Sequence, residues 1–246
     1  MPAPLYAMIL AAGRGTRMRP LTDHTPKPLL RVGGKSLIEW HIERLAAAGI
    51  THIVINHAWL GQKIEDQLGD GSRYGVSIQY SAEEQALETA AGIKKALPLL
   101  TDGLTTKAPF LVISADIWSE WNPALAFYML ERIRSEQALA HLLLVPNPTH
   151  NPKGDFAFDL SKGLVLAKSD TNNHNHININ TYTYSGMGVF SPDFFNEVSA
   201  TTPTPLRQPL ADAMAKKKAL GTLYNGVWAD IGTPERLQQI EQSLAQ

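Results

Sequence analysis

Residues 5–15, Leu5-Tyr6-Ala7-Met8-Ile9-Leu10-Ala11-Ala12-Gly13-Arg14-Gly15, pass from a short apolar run into a loop of small residues. No basic segment precedes the run and its arginines follow it, so it reads as a buried strand, not a signal peptide. Strand and helix signals alternate outward from it. Ser36–Ala48 sets Leu37, Ile38, Ile42, Leu45 and Ala46 at helical spacing and stops at Gly49. Thr51–Asn56 is short and β-branched, Leu60–Leu68 is a short helix, and Val76–Tyr80 alternates like a half-buried strand. Glu88–Leu100 is helical and Phe110–Ser114 is continuously apolar. This order predicts an α/β fold, a Rossmann-like and mostly parallel central sheet flanked by helices.

Beyond about residue 120 the pattern loosens into an irregular lobe. Helices are expected at Asn122–Arg134, Leu206–Lys217 and Pro234–Leu244. Strands are expected at Ala138–Val145, Asp155–Asp159, Leu164–Ala167 and Thr181–Phe190. Asn172–Asn180 reads as an exposed polar loop, and its His174 and His176 as ordinary loop residues, not metal ligands. Trp118, Trp121 and Trp228 read as packing residues, and Lys216-Lys217-Lys218 as a solvated helix end. With no repeat and no long linker, residues 1–246 are expected to form one domain.

Composition excludes several function classes. The chain has no cysteine, which removes disulfide scaffolds, thiolate zinc sites and a cysteine nucleophile. Twenty-two basic against 23 acidic residues argue against bulk binding to nucleic acid or anionic lipid, while leaving room for a local basic pocket. No apolar run approaches the roughly 18 residues of a membrane span, so a soluble cytoplasmic protein is expected.

In an open parallel sheet, ligands bind at the carboxyl ends of the strands, where the first strand delivers Leu10–Pro20. Small residues there let backbone amides approach an anion, and Arg17 adds a fork of donors. The loop is not a P-loop, because no Gly-Lys-Ser/Thr follows. It is not the dinucleotide fingerprint, because Met18 holds the third glycine position. Lys27 lies between Pro26 and Pro28, which restrict its backbone. Asp116 falls just past the strand Phe110–Ser114, and Asp230 lies in the apolar run Val227–Gly232, where a free carboxylate is costly. Either aspartate could alternatively cap a helix.

The longer run LAAGRGTRMRPLTDHTPKPLL, residues 10–30, resembles the signature of the sugar-1-phosphate nucleotidyltransferases. These enzymes join a nucleoside triphosphate to a sugar 1-phosphate and release pyrophosphate, and the resemblance covers essentially the whole chain. NHAWLGQKIEDQLGDGSRYGVSIQYS, LETAAGIKKALPLL, KGDF and WADIGTPERL are similar to the branch acting on N-acetylmuramate 1-phosphate with UTP in cell-wall recycling. Guanylyl transfer to mannose 1-phosphate and thymidylyl transfer to glucose 1-phosphate stay open, as does a nucleotide-sugar-binding regulator without turnover. The resemblance implies a nucleotide-binding half at about 1–120 and a sugar-binding, metal-completing half at about 121–246.

It also implies site residues. Arg17, Lys27 and Asp116 would be catalytic. Leu10, Ala11, Ala12, Gly13, Gly15 and Thr16 would line the nucleotide with Arg17, Lys27, Thr89 and Gly92. Glu88, Ser114, Lys153, Asp155 and Ser185 would meet the sugar phosphate, and Asp116 with Asp230 would hold Mg²⁺. Glu88 could equally cap a helix, and Ser185 could satisfy a backbone group. Two departures stand out: Ala90-Ala91 where the motif usually reads Gly-Gly, and Ser114-Ala115-Asp116 where it reads Asn-Gly-Asp. Each alanine adds a methyl and disfavours positive φ, and Ser114 lacks the amide's donor. The absence of a Ser-His-Asp arrangement fits this chemistry. A phosphate monoester with a second pKa of about 6 is already mostly dianionic and needs no base.

Overall fold

The computed structural model describes residues 4–101, 108–169 and 179–244. The first half runs β1 (Tyr6–Leu10), β2 (Arg31–Val32), β3 (Lys35–Ser36), α1 (Leu37–Ala47), β4 (His52–His57), α2 (Gly61–Leu68), β5 (Ser77–Ala82), α3 (Glu88–Thr101), β6 (Phe110–Ser114) and β7 (Ile117–Ser119). The second half adds α4 (Leu125–Glu136), β8 (Ala140–Val145), β9 (Phe156–Asp159), β10 (Leu164–Leu166), β11 (Ile179–Phe190), α5 (Arg207–Ala215), β12 (Ala219–Leu223), β13 (Trp228–Asp230) and α6 (Pro234–Leu244).

One nine-stranded sheet carries both halves, in the order β5-β4-β1-β6-β11-β8-β12-β10-β9. The central strands are apolar on both faces. Ala7, Ile9, Ile53, Ile55, Leu111 and Ile113 join α1 in one core, while Met8, Val54, Phe110 and Val112 pack with α3 in the other. Such two-sided burial explains why these strands read as continuous apolar runs. The start of α1 is set by a capping box, in which the Glu39 carboxylate accepts from the Ser36 N–H at 3.0 Å.

Parallel pairing holds for β5-β4-β1-β6 and for β8 with β12, whereas β11 runs antiparallel to β6, β8 and β9. Parallel strands need a long crossover, usually a helix; among the described residues no α-helix lies between β8 and β11. The second half of the sheet is therefore more antiparallel than the sequence suggested. Ile179 and Asn180 begin β11 and pair with Asp159 and Phe158, so that end of the expected polar loop is strand. His174 and His176 lie outside the described residues. The ribbons β2–β3 and β7–β13 escape periodicity because each strand has only two or three residues. Among the described residues no helix is long and apolar enough to cross a membrane.

The chain leaves β1 toward β4 on one side and returns to β6 on the other. That reversal opens a crevice at the carboxyl ends of β1 and β6. Its floor is joined by the Ala115 N–H donating to the Leu10 carbonyl at 3.0 Å.

Candidate active site

Two adjoining clefts occupy this crevice. The first, about 400 Å³, is lined by Leu10, Ala11, Ala12, Gly13, Lys27, Glu88, Thr89, Ser114 and Asp116 among the residues expected from sequence. Its loop is held from below: the Asn56 side-chain oxygen accepts from the Ala11 N–H at 3.0 Å, and the Asn56 amide donates to Glu83 at 2.6 Å. Glu83, itself buried, also accepts from the Leu87 N–H at 3.0 Å, bracing the turn before Glu88. Glu88 takes a left-handed φ of 63°, a conformation non-glycine residues adopt rarely and mostly where surroundings enforce it.

The second cleft, about 710 Å³, shares Leu10, Thr89, Ser114 and Asp116 with the first and extends toward Asp155 and Asp230. The β7–β13 ribbon brings the two metal candidates together. Asp230 pairs with Ile117, next to Asp116, and the Ile231 N–H donates to the Asp116 carbonyl at 2.7 Å. The Trp228 indole N–H ties this ribbon to β11 by donating to the Ser185 carbonyl at 2.9 Å.

Each carboxylate faces a cation. The Lys27 ammonium lies 2.5 Å from Asp116 Oδ2, and Asp230 Oδ1 accepts from Arg236 with His150 Nε2 at 2.9 Å. Asp116 Oδ1 and Asp230 Oδ2 have no hydrogen-bond partner among the described residues, so hard oxygen donors remain on one cleft wall. Such a donor set suits Mg²⁺, which takes one or two carboxylates and completes its shell with phosphate and water. Below the ribbon, His41 donates from Nε2 to the Ile117 carbonyl at 2.9 Å. Burial, with Arg44 nearby, pushes its imidazole down to about 4.

Several expected positions lie away from the two clefts or are engaged elsewhere. Thr16 and Arg17 are exposed and do not line either cleft, because Gly15 turns the chain away at φ 66° into a short 3₁₀ segment. Arg14, on the other side of that turn, lines the first cleft, its guanidinium 4.5 Å over the Trp59 ring. Gly15 itself is required by packing, since a Cβ would sit 3.1 Å from Thr22 and 3.2 Å from Lys27. Gly92 lies behind the cleft, where a Cβ would come 2.6 Å from the Glu83 carboxylate. Lys153 is exposed and off the cleft, while Lys168 lines it and donates to the Gly154 carbonyl at 2.8 Å. Ser185 borders the cleft, but its buried hydroxyl accepts from the Met187 N–H at 3.2 Å, so it serves its own backbone.

Asp155 does line the second cleft, held by the Tyr184 N–H at 2.8 Å and the Asn151 amide at 3.0 Å. Trp118 and Trp121 are core residues, as expected, while Trp228 is half-buried and lines the cleft. Ala90 and Ala91 are fully buried helical residues with ordinary φ and line neither cleft. Sequence reasoning also passed over Arg14, Asn56, Glu83, His150, Arg207 and Arg236. Three of these carry a local signal: Arg14 lies in the loop after β1, and Asn56 and Glu83 stand at the carboxyl ends of β4 and β5.

Known proteins resemble this chain in sequence and in fold. A family described as Nucleotidyl transferase matches residues 6–246. The chain is 47% identical over 98% of its length, and 98% of the relative's, to the N-acetylmuramate alpha-1-phosphate uridylyltransferase of Neisseria meningitidis serogroup B. It is 34% identical to the Caulobacter vibrioides protein of the same name, over 99% of this chain and 98% of that one. In fold it resembles the crystal structure of HddC from Yersinia pseudotuberculosis, with a TM-score of 0.72, 20% identity, and 97% and 99% of the two chains covered.

Proposed function

The chain belongs to the nucleotidyl transferase family, and from that premise we propose that it transfers the uridylyl group of UTP to N-acetylmuramate 1-phosphate, forming UDP-N-acetylmuramate and pyrophosphate. This chemistry belongs to the reuse of peptidoglycan sugars and, with UTP as donor, to the cytoplasm. A sugar-phosphate oxygen attacks the α-phosphorus of UTP in line, and the bond to the departing pyrophosphate breaks. The attacking group is already anionic, so the site has to align two mutually repelling polyanions and offset their charge.

The loop Leu10–Gly13 would offer its backbone to the triphosphate, and Lys27, which lines the first cleft against Asp116, would neutralise phosphate. Asp116 and Asp230 would hold Mg²⁺, which supplies charge neutralisation on the phosphates. Asp155 in the second cleft and Glu88, which lines the first, would offer acceptors to sugar hydroxyls, with Ser114 lining both clefts. The observation that carries this reading is the Lys27–Asp116 contact, a cation and a carboxylate where the two clefts meet.

The test is pyrophosphate release from a panel of UTP, GTP and dTTP against N-acetylmuramate, mannose and glucose 1-phosphates, with and without Mg²⁺. Release with UTP and the muramate substrate, lost on chelation, is expected. Release with GTP and mannose 1-phosphate, or with dTTP and glucose 1-phosphate, reassigns the substrates. UTP binding without any release makes the chain a nucleotide-binding protein.

A further inference from the structure

Arg207 is the charged residue of the sugar-side cleft that the reaction as described leaves without a task. It opens α5, is exposed, lines the cleft, and has no acidic partner among the described residues. The other charged walls are engaged. Asp230 is held by Arg236, Asp155 by two donors, and Lys168 donates to a backbone carbonyl. Leu206 and Leu210, one position before Arg207 and three after it, are buried and line the same cleft, giving that part of it apolar residues as well as a cation.

An N-acetylhexosamine 1-phosphate is charged at its phosphate alone, and its sugar ring offers this corner no charge. N-acetylmuramate differs from N-acetylglucosamine by a lactyl ether, which puts a carboxylate and a methyl group side by side. A guanidinium fork suits the carboxylate, and the two leucines suit the methyl. We propose that Arg207 is a specificity-determining residue that selects the acidic sugar by pairing with its lactyl carboxylate. This inference rests on the muramate reading given above. It also moves the role expected of Lys153 to the opening of a helix, where the cleft lining places a cation.

The experiment compares kcat/KM for N-acetylmuramate 1-phosphate and N-acetylglucosamine 1-phosphate in the wild type, Arg207→Gln and Arg207→Lys, at low and high salt. The wild type is expected to prefer the muramate substrate. Arg207→Gln should lower that preference by about tenfold or more, through the KM of the sugar phosphate, with Arg207→Lys intermediate. Salt should raise the muramate KM in the wild type and have little effect on it in Arg207→Gln. A wild type with no preference for the acidic sugar overturns the muramate reading and this inference together. A wild-type preference that survives in Arg207→Gln overturns the role of Arg207 alone. If Arg207→Gln fails to fold, Arg207→Lys decides by the same ratio, and an unchanged preference combined with an unchanged salt response counts against the proposal.

Discussion

Lys27 and Asp116, 89 positions apart in the chain, meet with Nζ 2.5 Å from Oδ2. The pair is lopsided: the lysine side chain is 9% exposed and the aspartate 42%. The ammonium is therefore buried against a carboxylate that still faces the cleft, so phosphate would replace the carboxylate on Lys27 and a metal ion would replace the ammonium on Asp116. The two members should respond differently to removal.

Asp116→Asn leaves a buried cation without its counter-charge, whereas Lys27→Met leaves a carboxylate that water can reach. Asp116→Asn is expected to lower stability by roughly 1–3 kcal/mol, between the exposed and buried cases, and Lys27→Met by less. Turnover should fall by about a hundredfold or more in both, as when a donor to developing charge is removed. Thermal melts and pyrophosphate release check both halves. Equal destabilisation, or near-wild-type turnover, would contradict the assigned roles.

Arg14 rests on Trp59, whose indole N–H also donates to the Thr22 carbonyl at 3.3 Å, while the Thr22 hydroxyl donates to the Gly15 carbonyl at 2.7 Å. Trp59→Ala should free Arg14 and loosen the loop, raising the KM for UTP by about two- to fivefold, in line with a cation–π contact. Arg14→Ala should raise it further, with little added effect in the double variant. A larger loss in Arg17→Ala than in Arg14→Ala would return the triphosphate contact to Arg17.

Reverting Ala90-Ala91 to Gly-Gly tests the departure from the family motif. Both methyls are buried in α3 among core residues and away from the clefts. The double reversion should lower stability by roughly 1–2 kcal/mol in total through helix propensity alone and leave kcat within about twofold. A large rise in activity from a barely active parent would favour the binding-protein reading.

Acid should destabilise the fold through two histidines. Burial pushes both His41 and His141 from 6.5 down to about 4. Between those limits the unfolded chain binds protons that the folded chain refuses, so stability rises with pH. Their contribution is fully present above about pH 6.5 and is lost as pH falls toward 4, on the order of 3 kcal/mol per histidine. Denaturant midpoints across this range, in the wild type and in His41→Gln, give the slope. An equally steep slope in the variant would remove His41 from the account.

The central elements were legible in the chain itself. Apolar strands, helix periods and glycine stops depend on residues a few positions apart, so β1, α1, β4, α3 and β6 fell close to their expected places. Leu10–Gly13 and Asp116 followed from the same local logic, since strand ends in a parallel sheet point to one edge. What converges on that edge depends on pairings that no short window contains. Ile231 reaches Asp116 through the β7–β13 ribbon, and α6 supplies Arg236 to Asp230. The left-handed turn at Gly15 chose Arg14 over Arg17 for the cleft wall, the path after β9 chose Lys168 over Lys153, and α3 turned Gly92 toward Glu83. A side chain's chemistry is local, but the direction it faces is set by backbone turns and by contacts between distant segments, and those exist only once the chain has folded.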